Sequence, residues 1–360
     1  MNLEEKLRKI SEWWEGVNEE RACIAFSLKK KDIPPEEVNT YWSSPEVKPD
    51  FEILVEKMIR NIKSFNYFGE ALPTLPHTWG ERGTPMTLAA WLGGKVKFTP
   101  DTVWVEPVVG RLEEFELKFD EGNVWFQRSF EFFKVAVEKS EGDYLPWLPD
   151  FGDFLTVFSL LRGVEALLLD LVENKEEILR KRDEFLKLWP LYHKKFWRLY
   201  SSKFPGDISW LLWAPGKTYA CQCDFSTMIS PRLFQEFVVP EIEALGEYLD
   251  YIVWHLDGPE EIKHLDILLE LPQIKAIQWA PGAGNPPAAS SRWLPMLKRI
   301  KEKGKSIWVM ADNEKEVETL IRELSPERLF ISGGFRGKNE EEAKDFLKWV
   351  VKISREARKS

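Results

Sequence analysis

Apolar and polar positions follow two different periods along this chain. Short, mostly apolar runs predict buried strands: every residue is apolar at 251–254 (YIVW), and all but one are apolar at 276–279 and 306–310. Between such runs, apolar residues recur every three or four positions, as between residues 175 and 204, which predicts amphipathic helices. From about residue 120 onward the two patterns alternate repeatedly.

This alternation predicts the fold class. About eight strands, most of them separated by helices, indicate an α/β protein with a parallel sheet closed as a (β/α)8 TIM-type barrel. An open doubly wound sheet is the alternative, but no glycine-rich phosphate loop follows a predicted strand, which removes its dinucleotide-binding version. We expect one domain over residues 1–360, in which residues 1–100 form an N-terminal helical and loop extension and the first elements.

Composition narrows the function classes. The chain has 360 residues, of which 44% are hydrophobic and 30% charged, and its net charge of −9 argues against a nucleic-acid partner, which would need a basic face. It has no run of about 18 apolar residues, so a membrane span is not expected. Its three cysteines are an odd number, which favours a reducing compartment over a disulfide framework. We therefore expect a cytoplasmic protein.

Candidate catalytic residues follow the predicted strands. His255 and Asp257 come directly after the apolar run at 251–254 and project from the same face of an extended chain. Asp224 follows the preceding predicted strand. Since loops at the carboxyl ends of parallel strands converge on one substrate, this trio predicts a general acid/base site. The alternative is that Asp257 begins a turn with Gly258 while His255 makes a core hydrogen bond.

Several other strand-end side chains are predicted to line the same pocket. The chain has 17 tryptophans, and those at strand ends, Trp213 and Trp279 among them, favour a flat or sugar-like ligand, although bulky core filling is the alternative. The remaining candidates for substrate contact are Gln278, Glu106, Asp153, Asp312 and Arg336. Of these, Arg336 is the cation nearest the last strand and suits an anionic group.

A divalent metal is a second interpretation of the trio. Neutral imidazole and carboxylates bind zinc, iron or nickel, and a cysteine on an inward-turning loop would favour zinc. The predicted ligands are His255, Asp257 and Cys223. The alternative for the cysteine is a small buried hydrophobe.

Three segments carry a resemblance to a known family. CQCDFSTMISPRLFQEFVVPEIEAL (221–245), YIVWHLDGP (251–259) and HLDILLELPQIKAIQWAPGAG (264–284) resemble the uroporphyrinogen decarboxylase superfamily in order and spacing. The likeness extends over roughly residues 80–355. This superfamily of barrels also contains corrinoid-dependent methyltransferases. The resemblance thus implies a methyltransferase-like enzyme with a small-molecule substrate, a corrinoid protein as partner and, as an open alternative, a homodimer.

The chain departs from the family at its metal ligands. Methyltransferases of this family that activate a thiol carry a His-x-Cys pair on the central strand and another cysteine near the last strand. The matching positions here are His255, Leu256 and Asp257, and the last strand ends in Ser332 without a cysteine. The arginine-rich N-terminal signature of the decarboxylase is also missing, which makes a decarboxylase or lyase the less favoured enzyme.

Two further functions stay open from sequence. A carbohydrate-active or other hydrolytic barrel would use strand-end tryptophans for stacking and a carboxylate pair for bond cleavage. A non-catalytic small-molecule-binding barrel would use the same residues without turnover. Methyl transfer involving a corrinoid or related carrier is the favoured interpretation.

Overall fold

The computed structural model describes residues 1–31, 49–79, 86–98 and 103–359. Its strands are β1 (Cys23–Lys29), β2 (Phe65–Gly69), β3 (Thr74–Leu75), β4 (Lys95–Phe98), β5 (Val103–Glu106), β6 (Leu145–Pro146), β7 (Asp207–Ser209), β8 (Leu212–Ala214), β9 (Thr218–Cys221), β10 (Tyr251–Asp257), β11 (Ile274–Ala280), β12 (Ser306–Ala311) and β13 (Leu329–Gly333).

The helices separate most of these strands. They are α1 (Leu3–Glu15), α2 (Phe51–Lys63), α3 (Thr87–Trp91), α4 (Val124–Lys139), α5 (Phe154–Arg162), α6 (Val164–Glu173), α7 (Lys175–Ser201), α8 (Pro231–Phe237), α9 (Val239–Tyr248), α10 (Leu265–Glu270), α11 (Leu294–Glu302), α12 (Glu314–Leu324) and α13 (Glu340–Ala357). Short 3₁₀ helices occupy Asp224–Met228 and Pro259–His264. No helix within the described ranges is long and apolar enough to cross a membrane.

A mostly parallel sheet forms the centre of the molecule. Seven strands pair in the order β2-β1-β13-β12-β11-β10-β9. All neighbours are parallel except β2, which pairs with β1 in the antiparallel direction. The first strand thus lies beside the last one, as the predicted barrel requires. The α/β class and the repeated β-α alternation of the C-terminal half are confirmed.

Strand pairing among the described residues does not close this sheet into an eight-stranded ring, so the predicted barrel is found only in part. The remaining strands form the two-stranded sheets β3-β6, β4-β5 and β7-β8. In the β3-β6 sheet Pro146 has no N–H to donate, and the N–H groups of Leu145 and Trp147 bond to the oxygens of Pro73 and Leu75.

The chain reverses direction within residues 208–213. Trp210 has a left-handed backbone (φ 52°), and the chain turns back there to form the antiparallel hairpin of β7 and β8. Side chains then make the link to β9: Ser209 Oγ accepts from the Ala220 N–H (3.0 Å), and Asp207 Oδ2 accepts from the Thr218 N–H (3.1 Å).

The two faces of the sheet have different neighbours. The strand register places a row of side chains on one face, consisting of His255, Gln278, Trp308 and Phe330. Alternate residues point to the other face, where Trp254 packs against Phe234 of α8. Helix α1 covers the amino end of the first face, because Trp13 contacts Phe330 and its backbone oxygen accepts from Ser306 Oγ. The carboxyl end of this face is left as the place where polar side chains collect.

Candidate functional site

His255 lies at the centre of the candidate site, near the carboxyl end of β10. Its Nδ1 is 2.8 Å from Oε1 of Gln278, the residue paired with it in register on β11. With an amide oxygen as partner, Nδ1 carries the proton and Nε2 keeps its lone pair. The indole of Trp210 contacts the imidazole edge-to-face, with ring centroids 5.0 Å apart. The imidazole is therefore fixed in orientation and tautomer by its neighbours.

Two carboxylates surround this imidazole, as the sequence predicts. Asp257 is two residues further along β10, on the same face, and is exposed. Asp224 begins the 3₁₀ helix that follows β9. Although Asp224 is solvent-exposed, partial desolvation raises the pKa of its carboxyl, with nearby His255 opposing this shift and the Asp257 charge adding to it. His255 and Asp257 are therefore close enough to Asp224 for their charges to change its pKa.

The side chain of Asp224 does not form a local turn. In the described part of the chain its carboxylate accepts no hydrogen bond from Ser226 or Thr227. The Ser226 N–H donates instead to the Cys223 oxygen (2.8 Å), and Thr227 Oγ1 donates to the backbone oxygen of Asp224 (3.0 Å). Its electrostatic neighbours include His255 and Asp257.

A third carboxylate, Asp150, belongs to the same site and was missed from sequence. Its oxygens accept hydrogen bonds from Tyr219 Oη (2.6 Å) and Gln222 Nε2 (3.3 Å). Burial raises the pKa of Asp150, the Tyr219 hydroxyl lowers it, and the Asp224 charge raises it again. The signal in the sequence is that Asp150 follows shortly after β6, at a strand end, within the loop segment LPDFGDF.

Asp153, the residue chosen from that segment, has a different role. It is the N-cap of α5, and its Oδ1 accepts from the Thr156 N–H (3.0 Å). Burial raises the pKa of its carboxyl to about 7, beside the Cys223 thiol and the buried Glu241. Asp153 lies next to the site through its interaction with Asp224, but it is itself a buried structural cap.

The mouth of the site is open to solvent at the ends of the central strands. A second row lies two residues further along each strand, on the same face as His255. It consists of Asp257, Ala280, Met310 and Ser332. Met310 has 66% of its surface exposed although its strand β12 is otherwise buried. Trp308 below it is buried, and its Nε1 donates to Ser332 Oγ (2.8 Å). A small molecule at this end of the strands would meet the polar side chains of Asp257 and Ser332 and the thioether of Met310.

Both tryptophans predicted as pocket residues lie elsewhere. Trp279 points to the opposite face of the sheet from His255 and packs against Trp293, with ring centroids 5.0 Å apart. Trp213 lies in the β8 hairpin near α1, where its Nε1 donates to the Pro205 oxygen (2.8 Å) and its own oxygen accepts from Trp14 Nε1 (2.9 Å). The prediction that they line the pocket is therefore wrong, because the strand alternation and the hairpin reversal turn them away.

Three charged candidates are also outside the His255 group. Glu106 is partly exposed in the β4-β5 hairpin, where it pairs with Lys95 and Lys97. Asp312 and Arg336 follow β12 and β13 at the expected end of the sheet, and both are largely exposed, 3.7 Å from one another. No contact joins these two to the trio among the described residues. Gln278, by contrast, is hydrogen-bonded to His255, and its contact with a substrate stays a prediction.

The predicted zinc ligands do not form a metal-holding group. Among the described residues, no set of three or more His, Cys, Asp or Glu side chains is arranged to hold a metal ion. Cys223 is fully buried beside Asp153, and burial raises the pKa of its thiol well above the ordinary value, whereas Asp257 is exposed at a strand end. The set His255, Asp257 and Cys223 therefore does not fit zinc, and zinc binding stays a prediction from sequence alone.

Glu261 is a buried acid under the two exposed carboxylates. Its Oε2 accepts from the Asp257 N–H (3.1 Å) and its Oε1 accepts from Ser226 Oγ (3.3 Å). Burial raises the pKa of this carboxyl to about 8, against the backbone hydrogen bond from Asp257, and the Asp224 charge raises it further. Near neutral pH the folded protein therefore keeps Glu261 protonated.

Glu261→Gln should change how stability depends on pH. The folded pKa is raised above the ordinary 4.5, so the stabilisation from proton binding is present below pH 4.5 and is lost as the pH rises towards 8. Glutamine has no proton to lose. The melting temperature of Glu261→Gln should therefore rise relative to that of wild type between pH 5 and 8. A pKa difference of one between the folded and unfolded states corresponds to about 1.4 kcal/mol of unfolding free energy. Glu260→Gln, an exposed neighbour, is the control, and a constant difference from wild type across this pH range would contradict the expectation.

Comparison with known proteins supports the fold. A scan against protein-family models found no match, and a search of curated proteins found none either. Among solved structures, the chain is similar to a methyltransferase from Methanosarcina mazei, with a TM-score of 0.59, 13% sequence identity and 98% of each chain covered. At this identity the similarity shows a shared architecture: the chain has a methyltransferase-like fold over nearly its whole length.

Proposed function

We propose that this protein is an enzyme that transfers a methyl group to or from a small molecule, with His255 as general base. The observation that carries the proposal is the His255–Gln278 pair at the open end of the sheet, flanked by Asp224 and Asp257. The shared fold with a methyltransferase supports the reaction class.

The chemistry follows from the tautomer of His255. Its Nε2 takes the proton from the nucleophilic atom of the acceptor as that atom attacks the methyl carbon. The bond from the methyl carbon to the donor breaks, and its electron pair stays with the donor. The imidazolium formed on His255 is stabilised by the carboxylates of Asp224 and Asp257, which are in place before the reaction. Trp210 and Gln278 hold the ring in position during this step.

A finer version of the proposal concerns the methyl carrier. The resemblance of residues 221–284 to the uroporphyrinogen decarboxylase superfamily supports a corrinoid, held by a partner protein, as the carrier. When present, the corrinoid would donate or accept the methyl group. This chain would contribute the His255 base and the open mouth beside Met310. A closed eight-stranded barrel is the architecture that this family assignment implies.

The carbohydrate alternative loses part of its support. It relied on strand-end tryptophans, and Trp213 and Trp279 both face away from the His255 group. Trp210 is the indole that contacts His255. A carboxylate pair remains, but the stacking platform that motivated a sugar ligand does not include the predicted residues.

The experiment that tests the function follows an isotopic methyl group. The purified protein is incubated with deuterated methyl donors, methylcobalamin and methylated amines, sulfides and ethers, together with thiol acceptors, and products are measured by mass spectrometry. We expect transfer of the labelled methyl group in at least one pair, dependent on active protein. Ligand-induced thermal stabilisation without transfer from any donor would instead support a binding protein.

A further inference from the structure

We propose that residues Glu261, Lys263 and His264 form a clamp that positions Asp224 against His255, making them positioning residues for the reaction. The catalytic role of the clamp rests on the proposed function. Its effect on the position of Asp224 rests on the contacts described below and does not depend on that function. The clamp is defined by these three side chains and their partners Ser226 and Thr227.

The clamp consists of three successive contacts between the two 3₁₀ helices. Ser226 Oγ donates to Glu261 Oε1 (3.3 Å), His264 Nε2 lies 3.0 Å from the Ser226 backbone oxygen, and Lys263 Nζ donates to the Thr227 backbone oxygen (2.7 Å). Three side chains of the segment Pro259–His264 thereby bind one side chain and two backbone oxygens of the segment Asp224–Met228.

The clamp is fixed at its own end by β10 and α8. Glu261 Oε2 accepts from the Asp257 N–H (3.1 Å), and His264 stacks on Phe234 with centroids 4.2 Å apart. Glu261 and His264 are buried, at 2% and 1% exposure. The chain enters this segment through Gly258, whose φ of 80° favours glycine and whose N–H donates to the Ala280 oxygen (2.8 Å).

This arrangement explains how an exposed residue on a short segment keeps a catalytic position. Asp224 has no side-chain hydrogen bond within the described residues, so its own side chain does not fix it. Ser226 and Thr227, two and three residues later, are held by the clamp. Glu261 contacts Asp257 and Ser226 at once, so one carboxyl sets the spacing between the two acids beside His255. A loose Asp224 segment would lose the preorganised charge that stabilises the imidazolium.

The test uses variants that weaken the clamp without emptying the core. Lys263→Gln and Ser226→Ala each remove one contact, and Glu261→Ala removes two, whereas Glu261→Gln keeps an acceptor for Asp257 and a donor for Ser226. Lys315→Gln, an exposed lysine on α12, is the control. The first readout is the titration of the Asp224 carboxyl by carbon-13 NMR, assigned with Asp224→Asn. The titratable groups that interact with it are His255, Asp257, Glu261, Asp150 and Asp153.

The expected result is that the pKa of Asp224, raised in the wild type, moves back towards the ordinary value for aspartate in Lys263→Gln, Ser226→Ala and Glu261→Ala. Glu261→Gln and Lys315→Gln should retain the wild-type position of the acid. Where turnover is measured, kcat should fall about 10- to 100-fold in the first three variants. A merely structural clamp would lower the melting temperature and leave the Asp224 titration unchanged, which would overturn the proposal.

The outcomes separate the clamp from the proposed reaction. The Asp224 titration needs no substrate, so a protein without methyl transfer still shows whether the clamp positions this acid. Should Glu261→Ala fail to fold, the milder Lys263→Gln and Ser226→Ala variants decide the question. If both milder variants transfer methyl groups and the pKa of Asp224 in them equals that of wild type, the proposed function is retained and the clamp is rejected.

Discussion

His255→Ala should lower kcat/KM for methyl transfer by about 10²- to 10⁴-fold, the range that a positioned general base contributes. The imidazole Nε2 is the base in the proposed step, and the carboxylates of Asp224 and Asp257 lie near it to stabilise the imidazolium that forms. His255→Gln should behave similarly because glutamine cannot accept the proton. The measurement is steady-state kinetics with the labelled donor and acceptor found active.

The fold should tolerate this change, since His255 is only partly buried and, within the described ranges, its side chain hydrogen-bonds to Gln278 alone. Glu106→Gln, in the exposed β4-β5 hairpin, is the matched control and should retain wild-type rates. Chemical modification gives a second check. The other three histidines, His77, His193 and His264, are at most 5% exposed, so diethyl pyrocarbonate should modify His255 first. Full activity in His255→Ala would reject it as the base.

The sequence predicted the central pair of this site for physical reasons that held. An all-apolar run followed by polar residues can end only where the buried strand reaches an edge, and this placed His255 and Asp257 together on one face. The same rule should have rejected Trp279. Gln278 is the residue opposite His255 on the neighbouring strand. Trp279 is the next residue and therefore points to the other face of the sheet. Alternation within a strand determines the face as firmly as strand ends determine the edge.

Other features could not be found by local pattern. Trp210 contacts His255 because the chain reverses at a left-handed residue, a conformation that a bulky side chain rarely adopts and that costs of order 1–3 kcal/mol. Asp150 joins the site through Tyr219 and Gln222, which are about 70 residues away in sequence. Contacts of this kind depend on how distant segments pack. Sequence periodicity carries no information about them.

A stabilising ion pair beside β1 and β2 is another contact that sequence periodicity does not predict. Arg21 and Glu70 are charged residues that sequence alone would place at the surface. In the structure they form a buried pair, with Arg21 Nη2 2.6 Å from Glu70 Oε1 and Nη1 2.8 Å from Oε2. Glu70 Oε2 also accepts from the Ile24 N–H (2.8 Å), so this carboxylate, one residue after β2, binds both Ile24 within β1 and Arg21 two residues before β1. The pair therefore fastens the antiparallel edge strand to the central sheet.

Glu70→Ala should lower the free energy of unfolding by about 3–5 kcal/mol, the usual result of leaving a buried partner charge uncompensated. Arg21 is 7% exposed and Glu70 1%, so water cannot readily solvate the guanidinium that remains. The Ile24 N–H loses its carboxylate acceptor in the same variant. Chemical denaturation monitored by circular dichroism measures the change.

Two further variants identify its cause. Glu70→Gln keeps an acceptor for Ile24 and a hydrogen bond to Arg21 but removes the negative charge, so it should lie between wild type and Glu70→Ala. Glu106→Ala breaks exposed ion pairs with Lys95 and Lys97 and should cost less than about 1 kcal/mol, because water screens such pairs. Equal losses for Glu70→Ala and Glu106→Ala would show that burial does not strengthen the dependence on Glu70. Equal losses for Glu70→Ala and Glu70→Gln would assign the effect to the charge rather than to the Ile24 hydrogen bond.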